Sequence, residues 1–165
     1  MGETGIGKTT LFRLILGFIE PTEGRVAVGG DCCFVPQGNT LMSGTIRYNL
    51  QLAKPDATDE DLKAVLHTAC ADFVSELPEG LDTELGERGG GLSEGQAQRI
   101  AIARGLLRPG NLLLLDEISS SLDEPTEREL YRRLFEAFPQ KTMIFITHRS
   151  SVSTLCDETI SLGYR

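Results

Sequence analysis

LLLLDE, residues 112–117, sets four consecutive leucines in front of two carboxylates. An unbroken apolar run of this length reads as a strand buried on both faces, the kind found in a parallel sheet covered by helices. Asp116 and Glu117 then fall at the strand's C-terminal edge, the side on which open α/β sheets bind ligands. Taken alone, the acidic pair would serve equally well as a cap for the next helix.

On the C-terminal side, Pro125 suits the first turn of a helix whose Leu130, Leu134 and Phe138 share one face, and residues 143–147 read as a second apolar strand. On the N-terminal side, Ser93 and Gln96 form a capping box. Ala97, Ile100, Ala101, Arg104 and Leu107 continue that helix until Pro109 and Gly110 stop it. Leu62, Val65, Leu66, Ala69 and Phe73 recur at helical spacing behind Thr58, which predicts an amphipathic helix over residues 58–75. Nearer the start, residues 9–18 read as a helix, 21–24 as a turn and 25–28 as a short strand. Apolar strands alternating with helices define an α/β fold with a mostly parallel sheet.

Residues 2–9, GETGIGKT, match GxxxxGK[ST], in which glycines let backbone amides wrap phosphates at a helix N-terminus. Lys8 would reach the β and γ phosphates and Thr9 would ligate Mg²⁺. A flexible glycine-rich start is the plainer alternative. In LSEGQ, residues 92–96, a serine opens a helix and a glycine permits close approach, so a helix dipole and a hydroxyl face a phosphate; an ordinary capping box fits the same spacing.

Composition narrows the classes. The chain has 165 residues, 40% hydrophobic and 24% charged, enough for one domain with a core. Its net charge of −8 disfavours non-specific nucleic-acid binding. The most apolar run, residues 11–19, is interrupted by Arg13 and is far too short to span a bilayer, and residues 1–4 do not open a secretory signal. Cys32, Cys33, Cys70 and Cys156 lack metal-ligand spacing and read as plain thiols.

The order of motifs resembles the ATP-binding cassette (ABC) ATPases. It runs phosphate loop, Gln37, LSEGQ, apolar strand with acidic pair, then a strand ending in His148. The resemblance covers nearly the whole chain. It implies a phosphate-binding-loop fold with a core (residues 1–37 and 110–165) and an α-helical subdomain carrying the signature (about 38–109). It implies ATP contacts from Gly2, Glu3, Thr4, Gly5, Ile6, Gly7, Lys8, Thr9 and Thr10. Ser93, Glu94, Gly95 and Gln96 would complete the ATP site of a second such domain in a head-to-tail dimer, and Asp123 would be a further ATP-site residue. Thr9, Gln37 and Asp116 would hold Mg²⁺, Glu117 would polarise the attacking water, and Gln37 and His148 would assist.

Residues 41–50, LMSGTIRYNL, and 83–96, TELGERGGGLSEGQ, look like the transmission regions of exporter-type cassettes. The resemblance therefore implies ATP hydrolysis coupled to transport, a membrane-domain partner and a place on the cytoplasmic face of a membrane. A non-transport cassette acting in DNA repair or on ribosomes, and an inactive remnant, stand as alternatives. In the family the phosphate loop follows a buried strand. Only Met1 precedes Gly2 here, so the first strands are expected to be missing, leaving strands such as residues 112–115 short of a partner.

Overall fold

The computed structural model describes residues 7–161. Gly2, Glu3, Thr4, Gly5 and Ile6 of the expected phosphate loop lie outside them. Helix α1 (Lys8–Ile15) opens at Gly7, whose φ of 98° is a left-handed turn that glycine takes without strain. It ends sooner than the apolar pattern suggests because Gly17 (φ 71°) donates its N–H back to Leu14 and Phe18 donates to Arg13, a left-handed stop. The inner face of α1 carries Phe12, 1% exposed, which meets the Phe34 ring edge-on at 6.1 Å and packs with Leu114 and Ile146. Residues 25–28 form no strand. Val26 and Val28 stay exposed, and a run this short with no partner ladder has nowhere to place its backbone hydrogen bonds.

Strand β1 (Cys32–Val35) is followed by β2 (Gly44–Thr45), α2 (Ile46–Gln51) and α3 (Asp59–Thr68). The expected Thr58 cap is present, with Asp61 closing a capping box. The helix stops well before residue 75, however. Cys70 turns left-handed (φ 54°), and Asp72–Glu76 continues only as a 3₁₀ turn. Arginines from two other helices hold this end: Arg133 donates to the His67 carbonyl at 2.6 Å and Arg99 to the Cys70 carbonyl at 2.7 Å. Strand β3 (Glu84–Leu85) pairs antiparallel with β2, and α4 (Glu94–Leu106) begins on the Ser93–Gln96 capping box.

Strand β4 (Leu112–Asp116), helix α5 (Glu124–Ala137), strand β5 (Thr142–Ile146) and the short α6 (Ser150–Ser153) complete the chain. Strands β1, β4 and β5 form one parallel sheet in the order β1-β4-β5. Leu113, Leu114 and Leu115 are completely buried in it, as their unbroken apolar run requires. Flanked on both sides, β4 is not short of a ladder partner, contrary to the sequence expectation. Among the described residues the sheet edge beside α1 is that of β5, along a cavity of 740 Å³ lined by Leu11, Phe12 and Ile144. Among the described residues no helix is long and apolar enough to cross a membrane.

The largest core cluster joins the helical part to the sheet, with Ile46, Leu50, Leu62, Ile100 and Leu130 all fully buried alongside Leu113 and Leu115. Helix α4 lies against β1 through Gly105, where an added Cβ would sit 2.5 Å from Val35 Cγ2. Gly105→Ala gains about 1 kcal/mol in helix propensity. Overpacking a stiff, buried valine costs about 1–3 kcal/mol, so a net loss is expected. Thermal melting checks this, and an unchanged or raised midpoint would show that α4 and β1 are less tightly opposed.

Candidate functional site

Because β1, β4 and β5 run parallel, their C-terminal ends open on one edge of the sheet. Gln37 follows β1, Asp116 and Glu117 end and follow β4, and His148 follows β5. Glu117 takes a left-handed backbone (φ 47°), uncommon for a residue with a Cβ. Its N–H is bonded to the Ile146 carbonyl at 2.9 Å, so the turn is tied to the end of β5. The consequence is a carboxylate within reach of both neighbouring strand ends. Gln37 Nε2 donates to Glu117 Oε2 at 2.9 Å, and His148 Nε2 lies 2.9 Å from Glu117 Oε1.

The N-terminus of α1 meets this edge. Lys8 Nζ is 3.0 Å from His148 Nε2, and the Thr9 hydroxyl donates to Asp116 Oδ2 at 3.4 Å. One imidazole nitrogen accepts from an ammonium only when unprotonated and donates to a carboxylate only when protonated. His148 Nε2 therefore serves Lys8 or Glu117, never both at once. The first-turn amides of α1 lie outside the helix's own ladder and carry the positive end of its dipole, which suits an anion.

Asp116 is 4% exposed, and burial, reinforced by the Glu117 charge, raises its carboxyl above the usual range; the Thr9 hydroxyl and Lys8 pull the other way. A buried carboxylate beside a second carboxylate and a threonine hydroxyl is a set of hard oxygen donors in want of positive charge, and it fits Mg²⁺. Thr9 and Asp116 are adjacent, while the side chain of Gln37, the third expected ligand, hydrogen-bonds to Glu117.

Six sequence-assigned residues thus converge: Lys8, Thr9, Gln37, Asp116, Glu117 and His148. Thr10 lies exposed in the first turn of α1. Ser93 and Asp123 stand apart at exposed helix starts. Ser93 exchanges hydrogen bonds with Gln96, and Asp123 accepts from the Thr126 N–H and hydroxyl. Glu94 is exposed. Gly95 has a packing role within its own chain, since a Cβ there would come within 3.2 Å of the Ser121 carbonyl.

Gln98 was not singled out in the sequence. It is 2% exposed, its Nε2 reaches the Glu117 carbonyl at 3.4 Å, and its Oε1 accepts from Ser121. It braces the unusual turn at Glu117 from α4. Its signal was available: Gln98 follows Ala97 directly and precedes Ile100 and Ala101 on a helix whose inner side is otherwise apolar.

A parallel sheet whose strand ends gather a glutamine, two acids and a histidine against a helix start bearing a lysine and a threonine defines an α/β protein with a site suited to an anion. The ABC transporter family profile matches residues 1–120, and the chain belongs to that family. It is 41% identical over 171 residues to a multidrug resistance ABC transporter ATP-binding and permease protein of Lactococcus lactis subsp. cremoris, covering 94% of this chain and 29% of that protein. It is 37% identical to an ATM1-type heavy metal exporter of Novosphingobium aromaticivorans, covering 95% of this chain and 28% of that one. A solved bacterial Atm1-family ABC exporter with ATP bound is 36% identical and superimposes with a TM-score of 0.84 over 94% of this chain and 29% of its own. The chain spans less than a third of the length of these relatives.

Proposed function

We propose that this chain binds ATP with Mg²⁺ and hydrolyses it to drive export across a membrane. The observation that carries the reading is the contact of Glu117 with both Gln37 and His148 at the edge where Lys8 and Thr9 begin α1. Lys8, with the first-turn amides of α1 and the glycines of the loop, holds the β and γ phosphates. Thr9 and Asp116, with Gln37 beside them, hold the metal, which when bound neutralises charge on the transferred phosphoryl group. Glu117 accepts the proton of the attacking water. His148, whose Nε2 can serve either Lys8 or Glu117, orients that water and answers the γ-phosphate.

Ser93, Glu94, Gly95, Gln96 and Asp123 serve the ATP site of a second such domain, arranged head to tail. The exposure of Ser93, Glu94 and Asp123, and the hydrogen bonding of Ser93 and Asp123 within their own helix starts, support that role. In this reading residues 1–37 and 110–165 form the core, and about 38–109 a helical subdomain. Met42, Tyr48 and Leu52, 53%, 48% and 43% exposed, present apolar surface shortly after Gln37 and suit contact with a membrane domain. The chain then works at the cytoplasmic face of that membrane. Release of inorganic phosphate from MgATP by the complete purified protein tests the proposal. Turnover above background supports it, and ATP binding without any phosphate release counts against it.

A further inference from the structure

The loops that follow Glu117 and His148 share a partner that the hydrolytic roles do not use. Glu127, on the first turns of α5, is 3% exposed. A buried carboxylate is costly unless hydrogen bonds and a counter-charge reach it. Both do. Ser119, two residues beyond Glu117, donates its hydroxyl to Glu127 Oε1, and Arg149, the residue after His148, reaches Oε2 at 3.1 Å.

Two further bonds give this contact direction. Ser119 spends its one proton on Glu127, so the Tyr131 hydroxyl at 3.2 Å must donate to Ser119, giving a chain Tyr131 to Ser119 to Glu127. Tyr131 is 2% exposed, and burial pushes its hydroxyl up to about 12, so it remains a donor. The second prong of Arg149, NH2, donates to the Leu122 carbonyl at 3.0 Å, while its backbone N–H bonds to the Thr147 hydroxyl at 3.0 Å. A single guanidinium fork therefore spans from the His148 turn to the segment leaving Glu117, and the planar geometry fixes their separation.

We propose that Arg149 and Glu127 are positioning residues for hydrolysis: their pairing sets the distance between Glu117 and His148 and the path of residues 119–122 toward Asp123. Neither touches the reacting atoms. The proposal rests on the reading of Glu117 and His148 as the hydrolytic pair. Geometry of this kind is worth much in rate, because displacement of about 1 Å at a reacting group costs roughly 10²-fold.

The test separates holding the fold from holding the site, and is made in the complete protein. Glu127→Gln and Arg149→Gln singly should lower the melting temperature, since each strands part of the network. Combined, they remove both charges and leave amides able to bond Ser119, so the melting temperature should return close to wild type. Turnover should not return, because a glutamine at 149 lacks the fork to Leu122. We expect kcat about tenfold or more below wild type, with the KM for ATP within about twofold. Recovery of kcat together with melting temperature would reduce the pair to a structural role and overturn the proposal. Arg149→Lys provides a second arm: it keeps the charge beside Glu127 but not the two-pronged geometry, so kcat should fall several-fold at an unchanged melting temperature. Wild-type kcat there also overturns it. If Glu117→Gln itself leaves turnover intact, the hydrolytic reading fails first. Normal turnover in the Arg149 variants beside a dead Glu117→Gln protein rejects the positioning role alone.

Discussion

Glu117→Gln is expected to lower MgATP turnover by roughly 10²–10⁴-fold while leaving ATP binding close to wild type. The substitution is nearly isosteric. A glutamine oxygen can still accept from Gln37 Nε2, now 2.9 Å from the carboxylate, so the turn at residue 117 has no reason to move. Its backbone bond to Ile146 and the brace from Gln98 do not involve the carboxylate. What disappears is the capacity to take a proton from water and to accept one from His148. ATP should then be bound but not cleaved, and two copies should remain associated in its presence. Single-turnover phosphate release and gel filtration with and without ATP measure the two halves of this expectation. A variant that stays monomeric with ATP and hydrolyses at the normal rate contradicts the role given to Glu117.

Lys8→Ala should reduce kcat/KM for ATP by about 10²–10³-fold, the usual cost of removing one preorganised charge from a site of phosphoryl transfer. Lys8 reaches the strand edge at His148, and its charge favours the ionised Asp116 there. Alanine leaves Asp116 and Glu117 facing the phosphates with less compensating charge. The fold should tolerate the change, because Lys8 is only half-buried at the start of a helix where alanine is acceptable. Melting temperature and ATP affinity measured on the same preparation check both points. Unaltered hydrolysis would remove residues 2–9 from the site.

Much of this arrangement was legible in the sequence because it rests on local chemistry. The leucines of β4 cannot face water on alternate sides, so the strand, its burial and the placing of Asp116 and Glu117 at its end follow together. Thr58, Ser93 and Pro125 mark helix starts by hydrogen bonding and backbone restraint, which need no tertiary context. Residues 25–28 and 70–75 failed for the opposite reason. A short strand exists only if another strand accepts its ladder. The end of α3, though its apolar spacing continues to Phe73, is decided by arginines that arrive from α4 and α5.

Sheet order was likewise beyond reach, since apolar runs identify strands but not neighbours. The placing of β1 and β5 on either side of β4 corrected the expectation that β4 would be short of a partner. Among the site residues, those with their own motif were found. Gln98, Ser119, Glu127 and Arg149 act through partners distant in sequence and were passed over. Glu127 carried a faint mark, a carboxylate one helical turn before Leu130 and Tyr131 on the inner face of α5.

We propose that each ATP is cleaved by Lys8, Thr9, Asp116 and Glu117 of one copy together with Ser93 of another, in a head-to-tail arrangement. The most direct measurement mixes two defective complete proteins, Lys8→Ala and Ser93→Arg, by co-expression with different tags, and compares ATP hydrolysis of the mixture with each alone. Separately, neither homodimer has an intact pairing. In a mixed dimer one site combines both lesions and the other combines an intact phosphate loop with an intact signature, so random pairing should restore about a quarter of wild-type activity. Mixed dimers that form but hydrolyse no faster than either parent would show that Ser93 serves the site of its own chain, or none, and would contradict the claim.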